Sequence, residues 1–290
     1  MNPLLNRIVR GYLRASPVTE GKGWLLRRTE SRILPDEAHV LAETKHGFAL
    51  HLNLANPEHR RIYFYGEHDE RYEIALLGRL IRPGDACWDI GANIGFYTCL
   101  LARIAGPDGR VDAFEPATAT RALLERNVAA NDFGNVTVHA QALGAAPGTA
   151  SIHFRSRDLA EGTASLIPAG DSAESEPVTV TTLDALAGTL PDPDFVKIDV
   201  EGLQLDVWRG GAQFFASHAP LVLAELRETS DRAHLAALDA CIAGHGYRLF
   251  EIRKRGIRRA PSLVAARGRN FLLAKPGSAG HERLGPLPDG

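Results

Sequence analysis

The residues best suited to chemistry lie in one short stretch, CWDIGANIGFYT, at positions 87–98. An apolar run ends there on Asp89, and Gly91 and Gly95 stand four positions apart before a helical pattern begins. A strand that ends at a carboxylate and turns directly into a helix N-terminus suits a small, polar, sugar-bearing ligand. The two glycines predict a turn in which backbone and ligand approach too closely for a side chain.

The spacing within this turn separates two classes of nucleotide ligand. A dinucleotide-binding loop has the pattern Gly-x-Gly-x-x-Gly, because the helix N-terminus must approach a pyrophosphate. Here Ala92 and Asn93 stand between Gly91 and Gly95, and the carboxylate of Asp89 would repel a pyrophosphate. It would instead attract a cation, such as the ammonium and sulfonium groups of S-adenosylmethionine. We therefore assign Asp89, Gly91, Asn93 and Gly95 to the binding of that cofactor.

Polar residues also follow the other predicted strands, at the edge where an open α/β sheet binds its ligands. Glu115 lies twenty residues beyond Gly95 and would accept hydrogen bonds from both ribose hydroxyls. Gln141 would accept a hydrogen bond from the adenine amino group, and Ala142 would form an apolar edge against the ring. Asp199 ends the next strand and would lie nearest the methionine portion of the cofactor.

Methyl transfer to an alcohol requires a base, because the hydroxyl must lose its proton by the transition state. Asp199 at the strand tip and Glu201 just beyond it are the candidate catalytic residues. His68 and His139 are alternative bases, since histidine titrates near neutral pH. A divalent metal held by Asp199 and Glu225 is a further alternative, but no third ligand stands at an expected spacing. The predicted site therefore contains no metal.

The composition argues against a nucleic-acid substrate. The net charge of −2 at pH 7 provides no general positive field. The strand that ends at Asp199 also lacks the sequence Asn/Asp-Pro-Pro-Tyr/Phe, with which nucleobase amino-methyltransferases hold a planar nitrogen. One basic cluster, at 253–269, is most simply a solvated loop, with a phosphorylated or acidic glycan as its alternative ligand.

Alternating strand and helix patterns predict a mostly parallel sheet with helices on both faces. The strands of this series are predicted at 86–90, 111–115, 136–143, 195–200, 221–226, 247–253 and 270–275. The last two follow one another without a helix, so they should form an antiparallel hairpin at one edge. The predicted fold class is α/β, a seven-stranded, doubly wound, Rossmann-like sheet of the class I methyltransferase type. A β excursion is predicted at 149–155 and 178–182.

The 290 residues are predicted to form three segments. Residues 1–69 are an N-terminal extension, residues 70–275 the catalytic domain, and residues 276–290 a flexible Gly/Pro-rich tail. The extension should contain a helix and short strands around 38–43, 47–53 and 61–65. The helix has an apolar face opposite its arginines, and we favour docking on its own domain over contact with a membrane surface or a partner. Scattered cysteines and the lack of a long apolar run predict a cytoplasmic protein.

Several of these motifs together resemble the FkbM-type methyltransferases. The resemblance covers roughly residues 70–275 and rests on Tyr72-Glu73, Pro83-Gly84-Asp85, DIGANIG at 89–95, Glu115-Pro116, VKIDVEG at 196–202 and Glu225. It implies S-adenosylmethionine as methyl donor, and O-methylation of a hydroxyl on a sugar, glycan or natural product. It also places Glu73 among the cofactor-binding residues. The alternatives are an NAD-dependent oxidoreductase and a catalytically inactive nucleoside-binding subunit.

Overall fold

The computed structural model describes residues 2–16, 21–35, 37–154, 164–165, 174–200, 202–226, 231–254 and 256–285. In these ranges the helices are α1 (Pro3–Ala15), α2 (Lys22–Ile33), α3 (Pro57–Tyr65), α4 (Arg71–Leu80), α5 (Phe96–Ala105), α6 (Thr118–Ala129), α7 (Leu183–Leu186), α8 (Gln204–Arg209), α9 (Ala212–Ser217), α10 (Arg232–Gly244) and α11 (Ala279–Glu282). The strands are β1 (His39–Glu43), β2 (Ala49–Asn53), β3 (Ala86–Ile90), β4 (Arg110–Phe114), β5 (Val136–His139), β6 (Gln141–Leu143), β7 (Gly148–Phe154), β8 (Ala164–Ser165), β9 (Glu174–Thr181), β10 (Phe195–Ile198), β11 (Leu221–Glu225), β12 (Arg248–Arg253), β13 (Gly256–Ala260) and β14 (Asn270–Ala274). No helix in the described ranges has the length and apolar character needed to cross a membrane.

The central sheet has the strand order β13-β12-β14-β11-β10-β3-β4-β5. β5, β4, β3, β10 and β11 run parallel to one another, and this arrangement confirms the predicted α/β fold. Side chains alternate between the two faces of each strand. Phe195 therefore packs in the apolar cluster that contains α5, whereas Val196 packs in the cluster that contains α8 and α10. The sheet thus has a buried core on each face.

The C-terminal edge of the sheet differs from the prediction by one strand. β14 lies between β11 and β12 and is antiparallel to both. β12 then forms a hairpin with β13, an eighth strand within the segment that we predicted to be a solvated loop. Its arginines masked the strand pattern, although charged side chains are typical of an exposed sheet edge, where they discourage pairing with another chain.

The prediction of a strand at 61–65 is wrong, because these residues belong to α3. Aromatic and β-branched residues suggested a strand there. The structure shows that Asn56 caps a helix by accepting a hydrogen bond from the backbone N–H of Glu58, with Pro57 at the first helical position. The cap and the proline therefore outweigh the strand propensity of the residues that follow. Helix α2 was also not predicted.

Two further boundaries were misplaced. The strand predicted at 136–143 divides at residue 140, and β6 leaves the central sheet to join a second sheet with the order β6-β9-β7-β8. The tail predicted to be flexible contains α11, and Arg283 just beyond it donates hydrogen bonds to the carboxylates of Asp85 and Asp194. The part of the tail up to residue 285 is therefore attached to the catalytic domain.

The N-terminal segment packs directly on the catalytic domain. Val9 and Leu13 of α1 lie in the same apolar cluster as Leu101 of α5. Asn131, just after α6, also bonds to the backbone of β2, since its amide group donates to the carbonyl of Ala49 and accepts from the N–H of the same residue, both at 2.7 Å. Packing and polar contacts together therefore attach residues 2–65 to the domain.

Candidate active site

A small cleft opens at the carboxyl ends of β10 and β11, beside the first residue of the antiparallel strand β14. Most of the residues that line it are charged or polar, namely Glu70, Glu73, Tyr97, Lys197, Asp199, Glu225 and Asn270, and Ile198 and Leu223 complete the lining. Ligands of open α/β sheets bind at this edge. The cleft is therefore the candidate active site.

Lys197 is the buried cation at the base of the cleft. Its ammonium group donates to Asp199 Oδ2 at 2.8 Å and lies 4.0 Å from Asp89 Oδ1 and 4.6 Å from the centre of the Tyr97 ring. Although burial disfavours the charged form, surrounding carboxylates raise the pKa of Lys197 to about 12. Lys197 therefore provides a positive charge within the cleft.

Glu70 connects one wall of the cleft to the other. Its Oε2 accepts a hydrogen bond from the Tyr97 hydroxyl at 2.6 Å and lies 3.3 Å from His68 Nδ1. Its Oε1 accepts from the side-chain amide of Asn270 at 2.6 Å, and the same amide donates to Glu73 Oε1 at 3.0 Å. Although burial opposes ionisation, the contact with His68 lowers the pKa of Glu70 to about 2. Glu70 is therefore an ionised carboxylate with a hydrogen bond to each oxygen.

Glu115 fixes the glycine-containing turn. Its Oε2 accepts from the backbone N–H of Asn93, and its Oε1 from that of Ala117, both at 2.9 Å. Asn93 has a φ of 51° and bonds through its side-chain oxygen to the next N–H, that of Ile94. Burial raises the pKa of Glu115 to about 7. Each carboxylate oxygen has further acceptor capacity, so Glu115 can still accept hydroxyl groups.

Contacts within the protein require glycine at both glycine positions of the turn. Gly91 has a φ of 80° and Gly95 a φ of 90°, a backbone region that favours glycine. A Cβ on Gly91 would overlap the carbonyl oxygen of Asp199, and a Cβ on Gly95 would overlap the side chain of Leu124. Protein atoms just beyond β10 and in α6 therefore already exclude a side chain at these two positions.

Asp89, which we predicted to bind the cofactor, is not among the residues that line the cleft. Its side chain is fully buried, and its Oδ2 accepts from the hydroxyl of Thr98 at 2.6 Å. Burial raises the pKa of this carboxyl, while nearby Lys197 acts in the opposite direction. Its Oδ1 has no hydrogen-bond partner among the described residues. Asp89 therefore acts on the cleft through Lys197 and the first turn of α5.

Gln141 and Ala142 lie in β6, which pairs with β9 of the second sheet. The side chain of Ala142 packs against Ala117, directly after the strand end that carries Glu115. Gln141 is half-buried. The two residues thus lie on the Glu115 side of the turn, away from the residues that line the cleft.

The predicted residues of the cleft itself are only partly brought together. Asp199 and Glu73 both line it, and Glu225 lies there in an ion pair with Arg269. Glu201 lies outside the described residues. Within the described ranges, no group of three or more His, Cys, Asp or Glu side chains is arranged to hold a metal ion.

The two histidines considered as bases have different surroundings. His68 contacts Glu70 at the edge of the cleft, and although burial lowers the pKa of His68, the carboxylate of Glu70 raises it on balance. His139 lies 2.8 Å from Asp112 Oδ1 and stacks on Phe114, with its ring 4.7 Å away. His139 is not among the residues that line the cleft.

The comparison with known families decides which class of protein this site belongs to. The family model described as a methyltransferase FkbM domain matches residues 89–249, which is more than half of the chain. The chain belongs to the FkbM methyltransferase family. S-adenosylmethionine is its methyl donor, as the sequence predicted, and the oxidoreductase alternative is set aside.

Two curated proteins and one solved structure are similar to this FkbM methyltransferase. The hexuronic acid methyltransferase AglP of Haloferax volcanii is 33% identical over 150 residues, which are 50% of this chain and 56% of that protein. Methyltransferase 1 of Beauveria bassiana is 28% identical over 175 residues, 52% of this chain and 65% of that protein. The chain therefore spans less than two thirds of either relative. The structure of methyltransferase FkbM from Methylobacillus flagellatus is 16% identical, with a TM-score of 0.44, over 74% of this chain and 52% of that one.

The sequence did not identify every polar residue of this FkbM site. Glu70 and Asn270 lie 200 residues apart in the chain, and both fall outside the matched range. Tyr97 stood in the quoted motif but was assigned no role. Glu70 immediately precedes α4 and Asn270 is the first residue of β14. Their positions at element ends were the one signal that could have identified them.

Proposed function

We propose that this methyltransferase transfers a methyl group from S-adenosylmethionine to a hydroxyl of a neutral sugar, glycan or similarly hydroxylated natural product. The observation that carries the proposal is the ring of carboxylates in the cleft. Glu70, Glu73, Asp199 and Glu225 line it around one lysine. Carboxylates accept hydrogen bonds from hydroxyl groups, and they can also receive a proton.

The cofactor would bind along the edge formed by the glycine-containing turn. Glu115 would accept the ribose hydroxyls, because its oxygens have acceptor capacity beyond their two backbone bonds. Gly91, Asn93 and Gly95 would shape the backbone beside it. Gln141 and Ala142 would contact the adenine from β6, and Glu73 would be a further ligand from α4. When bound, S-adenosylmethionine supplies an electrophilic methyl group carried by a sulfonium ion.

Asp199 would orient and deprotonate the acceptor hydroxyl. One of its oxygens is held by the ammonium group of Lys197 at 2.8 Å, which leaves the other for a ligand. The Asp199 side chain is about one third exposed, at 35%, so an acceptor can reach it. We also propose Glu201 as a catalytic residue from its position just beyond the strand. Holding the acceptor in line with the methyl group would account for much of the catalysis.

The charge of the cleft favours a neutral acceptor over an acid. An acceptor carboxylate would enter among Glu73, Asp199 and Glu225, where Lys197 is already paired with Asp199 and Arg269 with Glu225. Like charges at such short range disfavour binding. The similarity to AglP, a hexuronic acid methyltransferase, supports a carbohydrate acceptor. The proposal for this chain is a sugar hydroxyl.

Labelled S-adenosylmethionine and matched pairs of acceptors test the proposal. Each pair consists of a neutral glycoside and the uronic acid with the same ring configuration. We expect label to enter the neutral member, and Asp199→Asn to lower turnover by roughly 10²–10⁴, the usual contribution of a general base. Asp108→Asn, which changes an exposed aspartate, is the matched control and should leave turnover unchanged.

Three results would contradict the proposal. Preferential labelling of the uronic acids would show that the acceptor is an acid. Normal turnover by Asp199→Asn would remove that residue from catalysis. Cofactor binding without label transfer to any acceptor would favour the inactive nucleoside-binding subunit.

A further inference from the structure

The first two helices form an antiparallel pair with one face turned away from the domain. The backbone N–H of Asn2 donates to the carbonyl of Arg32 at 2.8 Å, which joins the beginning of α1 to the end of α2. At the other end, the ammonium group of Lys22 donates to the carbonyls of Leu13 and Ser16, at 2.7 and 2.8 Å. We call residues 2–35 of this pair, in their described part, the N-terminal hairpin.

Some apolar side chains of the N-terminal hairpin are buried against the domain, and others are exposed. Val9 and Leu13 of α1 are buried in the core, as docking requires. Leu4 and Ile8, however, are 69% and 59% exposed, and Tyr12 one turn further on is 43% exposed. These three residues recur every fourth position, so they form a stripe on the outer face of the helix.

The second helix contributes an exposed tryptophan and three arginines. Trp24 is 60% exposed, and the guanidinium group of Arg28 lies 5.8 Å from its ring centre. Arg27 and Arg32 are also exposed. No carboxylate in the described part of the chain forms an ion pair with Arg27, Arg28 or Arg32, or with the exposed Arg7 of α1.

Residues 1–35 and the rest of the chain carry net charges of opposite sign. Residues 1–35 contain six arginines and one lysine against Glu20 and Glu30, a net charge of +5. The whole chain has a net charge of −2, so residues 36–290 carry −7. A positive segment on a negative protein directs that segment toward a negatively charged surface.

We propose that the outer face of the N-terminal hairpin binds reversibly to an anionic membrane surface. Amphipathic helices that lie in a membrane interface combine arginine or lysine with exposed leucine, isoleucine and tryptophan, as this face does. Basic residues near an anionic leaflet add electrostatic attraction, and tryptophan and tyrosine favour the headgroup level.

Two other partners fit the face less well. A nucleic acid would use the arginines but would leave the aliphatic side chains of Leu4 and Ile8 without a role. A protein interface has a core that is depleted of charged residues, whereas four exposed arginines accompany the exposed apolar side chains of this hairpin. The proposal goes beyond the methyl-transfer reaction and does not depend on the identity of the acceptor.

The fluorescence of Trp24 tests the proposal directly. The chain has three tryptophans, and Trp88 and Trp208 are 1% and 0% exposed, so Trp24 is the one that responds to a surface ligand. The full-length protein is titrated with phosphatidylcholine vesicles that contain phosphatidylserine. We expect a blue shift of the emission and protection from acrylamide, both absent with pure phosphatidylcholine and weakened by salt. Trp24→Phe should abolish the shift and retain co-sedimentation with the anionic vesicles.

Matched variants locate the binding face. Leu4→Ser combined with Ile8→Ser should reduce partitioning onto anionic vesicles by about tenfold or more, and Arg27→Gln with Arg28→Gln should also reduce it. The controls are Leu41→Ser, which changes an exposed leucine of β1, and Arg258→Gln with Arg259→Gln, which removes exposed charges of β13. Both controls should bind as the wild type does.

Any of three results would overturn the proposal. The first is no spectral shift and no co-sedimentation with anionic vesicles. The second is equal binding by the variant with serine at positions 4 and 8, provided that its circular dichroism is unchanged. The third is binding to heparin or DNA without binding to vesicles, since that would identify a polyanion site.

Discussion

Lys197 determines the electrostatic balance of the cleft. It is buried, and the oxygens of Asp199 and Asp89 lie 2.8 and 4.0 Å from its ammonium group. Its positive charge offsets the electrostatic repulsion between these two carboxylates.

Replacing Lys197 should lower the stability of the folded protein. Lys197→Met keeps the length of the side chain but leaves the buried Asp89 without a nearby cation. We expect a loss of about 3–5 kcal/mol in the free energy of unfolding, the usual effect of removing one partner of a buried ion pair. Urea denaturation measures it, with Lys254→Met on an exposed lysine as the control. A loss below about 1 kcal/mol, the value typical of a surface pair, would contradict this account.

Glu115 should make cofactor binding depend on pH. Burial raises its pKa to about 7, so the free protein takes up a proton there as the pH falls through neutrality. The protonated carboxyl is a weaker acceptor for ribose hydroxyls. If only the ionised form binds, affinity for S-adenosylhomocysteine should be about tenfold higher near pH 8 than near pH 6. Calorimetry of the wild type and of Glu115→Gln measures this, and the variant should bind weakly with little pH dependence.

The raised pKa of Glu115 also makes the stability of the folded protein depend on pH. The folded protein holds this proton more tightly than the unfolded chain, whose glutamates have a pKa of about 4.3. The contribution of Glu115 to stability is therefore fully present below that value and is lost as the pH rises to about 7. In Glu115→Gln this component of the pH dependence should disappear, whereas in Glu125→Gln, on an exposed glutamate of α6, it should persist.

At the scale of elements, the turn between β3 and α5 is shaped by its contact with β10. Gly91 and Gly84 both have positive φ angles, 80° and 88°, so alanine at either position bears a similar backbone strain. Only Gly91 faces a neighbour, the carbonyl of Asp199, whereas the space around Gly84 is open. Gly91→Ala should therefore destabilise the protein by about 1–3 kcal/mol more than Gly84→Ala, an amount typical of overpacking. Equal urea midpoints for the two variants would show that the turn does not pack on β10.

The elements that the sequence predicted well are those with local signals. Strands β3, β4, β10 and β11 and helices α5 and α6 follow alternating patterns, and the strand-end positions of Glu115 and Asp199 could be identified from the same pattern. Local signals also explain one error, since the cap at Asn56 outweighed the strand propensity of residues 61–65. The contacts of Glu70 with Asn270 could not be predicted, because they join residues 200 positions apart. The burial of Asp89 beneath the turn likewise depends on packing that no single motif encodes.

At the scale of the whole molecule, Asn127 joins the N-terminal segment to the catalytic domain. Its side chain is fully buried, accepts from the backbone N–H of His51 at 2.6 Å and donates to the carbonyl of Ile94 at 2.8 Å. One residue thus connects β2, α6 and the glycine-containing turn. We infer that residues 2–65 and the domain unfold together.

Removing this connection should destabilise the molecule as a unit. Asn127→Leu leaves two buried backbone groups without partners, at a cost of about 2–4 kcal/mol. Thermal unfolding followed by circular dichroism should still show one transition, at a lower temperature. Glu125→Leu, on the exposed side of the same helix, should change it little. Two separate transitions in Asn127→Leu would show that the N-terminal segment folds independently.

The most direct test of the central claim is the chemical nature of the methylated product. The wild type is incubated with labelled S-adenosylmethionine and a glycan that has both free hydroxyls and a uronic acid, and the product is treated with mild alkali. Methylation of a hydroxyl gives an ether, which survives this treatment, whereas methylation of a carboxylate gives an ester, which is hydrolysed. The carboxylate-lined cleft around Asp199 predicts label that resists alkali and is lost in Asp199→Asn. Label that alkali releases, with undiminished transfer by Asp199→Asn, would contradict it.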